Sequence, residues 1–157
     1  LYIFIALVSY NAGDSGSFNI NSNPTIENLG GPLGAKISDF LFTLIGIGAY
    51  LVLLIGSVWA LQILFFKDPY NSRIKIAIRL ISSVILLTSF CSITEYYFSD
   101  NAGGYLGKST FINLSSALGY IGSLIFLVIF IIPASSLSFN FSWLKIIYIL
   151  GLSLIHI

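Results

Sequence analysis

At 157 residues the chain has the length of one domain, but 57% of its residues are hydrophobic and only 8% are charged, where an ordinary soluble domain carries about a quarter charged. That balance excludes a soluble domain and describes a membrane protein. A net charge of +1 spread over scattered Lys and Arg side chains also excludes a nucleic-acid surface in this piece, because phosphate binding needs clustered cations.

The left end, "LYIFIALVSY", supplies ten residues before polar sequence begins, about 15 Å of helix where a crossing takes about 20 residues. Residues 1–8 therefore read as the end of a truncated first span. The lack of any Met agrees with a fragment or a processed piece. An uncharged run from Phe40 to Phe66 predicts a second span over about 37–65. After the polar turn "KDPYNSRIK", residues 76–97 predict a third, with Arg79 snorkelling at one interface and Tyr96, Tyr97 and Phe98 forming an aromatic belt at the other. The loop "SDNAGGYLGKST" leads to a fourth over 111–132, ending at Pro133.

The expected fold is all-α: a polytopic integral membrane protein whose four transmembrane helices form two helical hairpins within residues 1–133. Residues 134–141 read as a linker. Residues 142–152, with Ser142 as a cap and Trp143 and Lys145 as interface residues, read as a short C-terminal interfacial helix. Five of the seven cations then fall on one side, in the turn at Lys67 to Arg79 and in the C-terminal segment, which the positive-inside rule makes cytoplasmic.

The external loops repeat. At an offset of 73 residues, "ENLGGPLGAK" faces "DNAGGYLGKS", pairing Asn28 with Asn101, Gly30 with Gly103, Gly31 with Gly104 and Gly34 with Gly107. The register continues to Gly46 with Gly119, so the two hairpins read as a parallel internal repeat. "AGGYLGKS" also matches a phosphate-binding loop loosely. Its context is wrong for one: no strand precedes it, and it lies outside the cytoplasm. Close helix packing explains the glycines better. With Pro32 in the first helical turn, Gly30, Gly34 and Ser38 form one small stripe, Ser115, Gly119 and Ser123 a second, and Gly56 with Ala60 a shorter one.

No catalytic, cofactor-binding or metal-ligating constellation emerges. His156 is the only histidine, and Cys91, the only cysteine, reads as a packed thiol in an apolar run. Lys36 and Asp39 read as an interfacial pair. The absence of charge near the middle of any span weighs against the other reading considered, a fragment of a small transporter or channel.

"SY" at Ser9 and Tyr10, Asp14, and then "NLGGPLGAKISDFLFTLIGIGAYL" together resemble the N-terminal membrane domain of bacterial FtsK/SpoIIIE-type DNA translocases. The matching positions are Asn28, Gly30, Gly31, Gly34, Ala35, Asp39, Leu41, Phe42, Gly46, Ala49 and Tyr50, and the resemblance runs to about residue 151. It implies a four-helix anchor in the bacterial cytoplasmic membrane at the division septum, embedded in the lipid bilayer and assembling as a hexameric homo-oligomer among cell-division proteins. It also implies a downstream motor, absent from this chain, that would carry ATP, Mg and double-stranded DNA. Two departures stand out: the first span is incomplete, and Asp14 is followed by Ser15 where the family often has Pro; the closing "SLIHI", residues 153–157, also fits no family pattern and reads as a non-native tail.

Overall fold

In the computed structural model, residues 1–18, 26–65, 73–98, 101–143 and 147–148 are described. They form five helices in chain order: α1 (Tyr2–Val8), α2 (Gly31–Ile45), α3 (Gly48–Phe65), α4 (Arg73–Tyr97) and α5 (Gly104–Phe139). Three of them, α3, α4 and α5, are long and apolar enough to cross a membrane. Only helices satisfy every backbone group from within the segment, which is why apolar runs of this length fold this way in lipid.

The expected span over 37–65 is not one helix. It divides at Gly46, which takes φ 56 and ψ −135 and ends α2; α3 then starts at Gly48. A left-handed backbone costs glycine nothing, so the apolar run can bend sharply there without any polar residue to mark the break. The 18 residues of α3 make about 27 Å of helix, close to the hydrocarbon thickness. The fourth span differs in the same way. α5 begins at Gly104, well before residue 111, and its 36 residues would reach about 54 Å if straight. Gly119, at φ 72 and ψ 171, breaks it into 104–118 and 120–139.

Nor does α5 stop at Pro133. It runs through that residue to Phe139, so most of the predicted linker is helical. Proline removes one donor and crowds one carbonyl, but the turns beyond it bury Ala134, Ser135 and Ser138 against the bundle. Asn140 ends the helix in a left-handed conformation, a role asparagine tolerates. Trp143 folds back along this end, its indole N–H donating to the Ile132 carbonyl at 3.1 Å and to Ser135 Oγ at 3.0 Å. Most of the predicted interfacial helix at 142–152, and the tail at 153–157, lie outside the described residues.

Two apolar clusters hold the helices together. One joins Leu7, Ile45, Ala49 and Cys91, where α1, α2, α3 and α4 meet. The other joins Ile55, Leu86 and Ala134 from α3, α4 and α5. Elsewhere in the bundle, buried hydroxyls are satisfied mostly within their own helices: Ser38 donates to Gly34 O at 2.9 Å, Ser82 to Ile78 O at 2.7 Å and Ser123 to Tyr120 O at 2.7 Å. Such back-bonding lets small polar residues line helix contacts without stranding a polar group in lipid.

Candidate functional site at the glycine turns

The first turn is built around Asn28, which is buried. Its Nδ2 donates to the carbonyls of Ala6 (2.8 Å) and Ser9 (3.2 Å), closing the end of α1, while its Oδ1 accepts the Gly30 N–H at 2.8 Å. Helix ends leave such carbonyls orphaned, and a side-chain amide satisfies them. Asp14, also buried, grips the irregular segment leading in: its two carboxylate oxygens accept the N–H groups of Glu27 and Asn28, each at 2.9 Å. Ser9 Oγ accepts the Leu29 N–H at 3.0 Å. Gly31, at φ 66, then turns the chain into α2 with its N–H on the Asn28 carbonyl at 2.8 Å.

The predicted stripe of Gly30, Gly34 and Ser38 lies along this site. A Cβ on Gly34 would stand 2.7 Å from Asn28 Oδ1 and 3.3 Å from the Ala6 methyl, and one on Gly30 would stand 3.0 Å from that same oxygen. Ser38 is fully buried, with its Oγ 3.4 Å from Asn28 Nδ2. Ala35 and Asp39 are buried beside it. Asp39 Oδ2 accepts the Phe18 N–H at 2.7 Å, which ties the loop to α2. Tyr10 stacks on Phe42 at 4.4 Å, and its phenol is held above its ordinary pKa, first by burial and then by the nearby Asp39 carboxylate. Tyr50 reaches across to α1, donating to Leu7 O at 3.2 Å.

The second turn reproduces the glycine hydrogen bonds of the first, although Asn101 takes a positive φ of 75 that Asn28 does not. Gly104, at φ 63, donates to Asn101 O at 3.0 Å, and Gly107 donates to Gly103 O at 3.0 Å, matching Gly31 on Asn28 O and Gly34 on Gly30 O. A carboxylate again clamps the entrance, here Glu95, whose oxygens accept the N–H groups of Asn101 (3.1 Å) and Gly103 (3.0 Å). The positive-φ glycines among the described residues are Gly31, Gly46, Gly104 and Gly119, two pairs at the offset of 73 read from the sequence. The repeat is thus present in the backbone as well as in the letters. At this second turn the N–H groups of Asn101 and Gly103 are taken by Glu95, and those of Gly104 and Gly107 by carbonyls within the turn.

The two halves meet backbone to backbone. Ile47 N–H donates to Ala102 O at 2.9 Å, directly beside Gly46. A Cβ on Gly46 would fall 2.0 Å from that carbonyl oxygen, and one on Gly104 would fall 2.6 Å from Gly46 N. Gly103 and Gly107 lie as tightly on α4, where added Cβ atoms would stand 2.0 and 2.4 Å from Cys91 O. An open cavity of about 410 Å³ lies over this crossing, lined by Tyr10, Phe42, Thr43, Ile47 and Asn101 among others.

The second predicted stripe fails. Gly119 breaks its helix and faces open space, so Ser115 and Ser123 do not continue one small face; Ser123 is fully buried while Ser115 is only half-buried. Gly56 likewise meets nothing. The close contacts are made instead by Gly103 and Gly107, which the offset of 73 assigns as partners of Gly30 and Gly34.

At the other end of the bundle Arg79 is buried rather than snorkelling. Its Nε donates to Ser138 O at 2.7 Å and its Nη2 donates to Gln62 Oε1, with the guanidinium 5.1 Å from the Trp59 ring. Trp59 and Gln62 donate to the carbonyls of Ser138 (3.1 Å) and Phe139 (2.7 Å). These are the last carbonyls of α5, the negative end of its dipole, so a cation and two N–H donors are well placed there. The cluster joins α3, α4 and α5. Its signal in the sequence was slight: a lone Arg next to a polar turn looks like an interface residue.

The family model for the 4TM region of DNA translocase FtsK/SpoIIIE matches residues 1–151. The chain belongs to this family. DNA translocase FtsK of Pseudomonas syringae pv. syringae (strain B728a) is 29% identical over 161 residues, an alignment covering 96% of this chain and 20% of that protein. DNA translocase FtsK of Vibrio vulnificus (strain CMCP6) is 27% identical over 156 residues, covering 96% of this chain and 16% of that protein. The chain therefore spans about a fifth or less of the length of these curated relatives. No solved structure matches it. As a member of the FtsK/SpoIIIE four-span family, with α3, α4 and α5 able to cross a bilayer, it is a multi-pass membrane protein. The glycine turns are the structural form of the "NLGGPLGAK" block that carried the resemblance.

Proposed function

We propose that the chain is the membrane-anchoring and oligomerisation domain of a DNA translocase that couples chromosome segregation to cell division. The observation that carries this reading is the family match over residues 1–151, joined to relatives that are themselves DNA translocases and extend far beyond the aligned part. The reading assigns no catalysis to this chain. The ATPase, with its ATP and Mg, and the contacts to double-stranded DNA belong to a motor outside it. The Lys67–Arg79 turn and the end of α5 face the cytoplasm, where the motor would attach, and the glycine turns face outward, toward division proteins. The Arg79 cluster supports an anchoring role, since it ties the end of α5 to two other helices.

A fluorescent fusion of the full chain in dividing bacteria tests this. Accumulation at the septum, with cross-linked multimers in membranes, is the expected result. Even labelling of the whole envelope and a monomer on cross-linking would overturn it. Reporter fusions at Asn71 and Asn101 check the orientation, with Asn71 expected in the cytoplasm.

A further inference from the structure

The break at Gly119 creates a feature that the glycine turns do not require. It folds α5 back so that the Tyr120 ring lies 5.6 Å from the Phe111 ring; an unbroken helix would separate these positions by about 13 Å along its axis. Tyr96 of α4 completes the cluster, 5.4 Å from Phe111 and 6.1 Å from Tyr120. Phe111 is buried as the floor, while Tyr96 and Tyr120 stay exposed. With Glu95, Lys108 and Ser115, these rings line an open cavity of about 320 Å³.

The cavity offers three kinds of contact. Glu95 is held in place by the N–H groups of Asn101 and Gly103 and, as a carboxylate with about four lone-pair sites, keeps acceptor capacity. Lys108 is exposed and brings a cation. The rings of Tyr96 and Tyr120 attract cations over their faces. The site lies where the apolar run of α4 gives way to Tyr96, Tyr97 and Phe98, the composition found at headgroup level. A ligand that meets all three contacts at that depth carries an anion and an amine joined by a short spacer, with an apolar tail. An anionic lipid without an amine would satisfy Lys108 but leave its polar head facing Glu95.

We propose that this cavity binds the head group of a zwitterionic aminophospholipid, with its phosphate at Lys108 and its ammonium between Glu95 and the Tyr96 and Tyr120 rings. The site depends on membrane embedding and not on the translocase reading. Native mass spectrometry of the full chain, released from micelles containing equal phosphatidylethanolamine and phosphatidylglycerol, tests it. The expected result is preferential retention of phosphatidylethanolamine, reduced about fivefold in Tyr120→Leu and in Lys108→Gln. Neither substitution touches the Glu95 clamp, so the helical fold, followed by circular dichroism, is expected to persist. Equal retention of both lipids, or retention unchanged in both variants, would overturn the proposal.

Discussion

At the first glycine turn the chain is held by side chains, and at the second, where Glu95 alone keeps that role, the matching glycines are pressed chiefly against other backbone. Asn28 is buried and spends its amide on Ala6, Ser9 and Gly30. Its counterpart Asn101 is exposed and supplies chiefly a left-handed φ of 75. Gly31 has open space around it, whereas Gly104 is pressed against Gly46 and Ile45. Gly46 and Gly119 divide similarly, one locked under Ala102 and the other facing nothing. A duplicated motif can therefore keep its glycine conformations while its surroundings reassign which atoms confer stability.

Substitution by alanine separates the members of each pair most sharply. Gly104→Ala and Gly46→Ala combine left-handed strain with a backbone collision, and each is expected to cost about 3 kcal/mol or more. Gly31→Ala carries only the left-handed strain, about 1 kcal/mol, and Gly119→Ala, at φ 72 and ψ 171 in a region open essentially to glycine alone, about 2 kcal/mol. Denaturant midpoints in detergent measure the difference; equal losses would erase the distinction. Next in size, Asn28→Ala strands buried carbonyls and should cost about 2 kcal/mol, while Asn101→Gly should leave stability level or slightly raised, because glycine accepts the left-handed φ. The carboxylate clamps are where the turns should behave alike: Asp14→Asn and Glu95→Gln each replace an acceptor with a donor facing an N–H, for about 1.5 kcal/mol apiece. Unequal losses would mean the clamps are not equivalent.

The smallest effect concerns Tyr10. Its folded pKa lies above the ordinary value of 10.0, so the folded state holds the phenolic proton more tightly than the unfolded chain does. Stability from this source is complete below pH 10 and declines as pH rises through the raised value. Tyr10→Phe should flatten that alkaline decline in a pH series, with no counterpart at the second turn.

Much of this was legible in advance because glycine pairs at a fixed offset mark backbone needs directly. The helical spans followed from apolar length alone. The helix breaks did not, since a glycine inside an apolar run reads equally well as a packing residue or a bend. For Gly46 both readings apply; for Gly119 only the bend does, which is why the stripe with Ser115 and Ser123 failed. Pro133 looked like a stop because local chemistry says so, but the carbonyls beyond it are met by Trp59, Gln62 and Arg79 from distant parts of the chain. Arg79 shows the converse: its burial depends on three helices converging, and no local pattern records that.

The crossing of Gly46 with Ala102 and Gly104 also governs how the protein can recover from damage. Where side chain meets side chain, as around Asn28, a lesion in one residue can be repaired by trimming or extending its neighbour. Where main chain meets main chain there is nothing to trim. Second-site suppressors of a Gly104 substitution would then have to shift a whole helix, so a genetic search should find them rare at the second turn and readily obtained at the first.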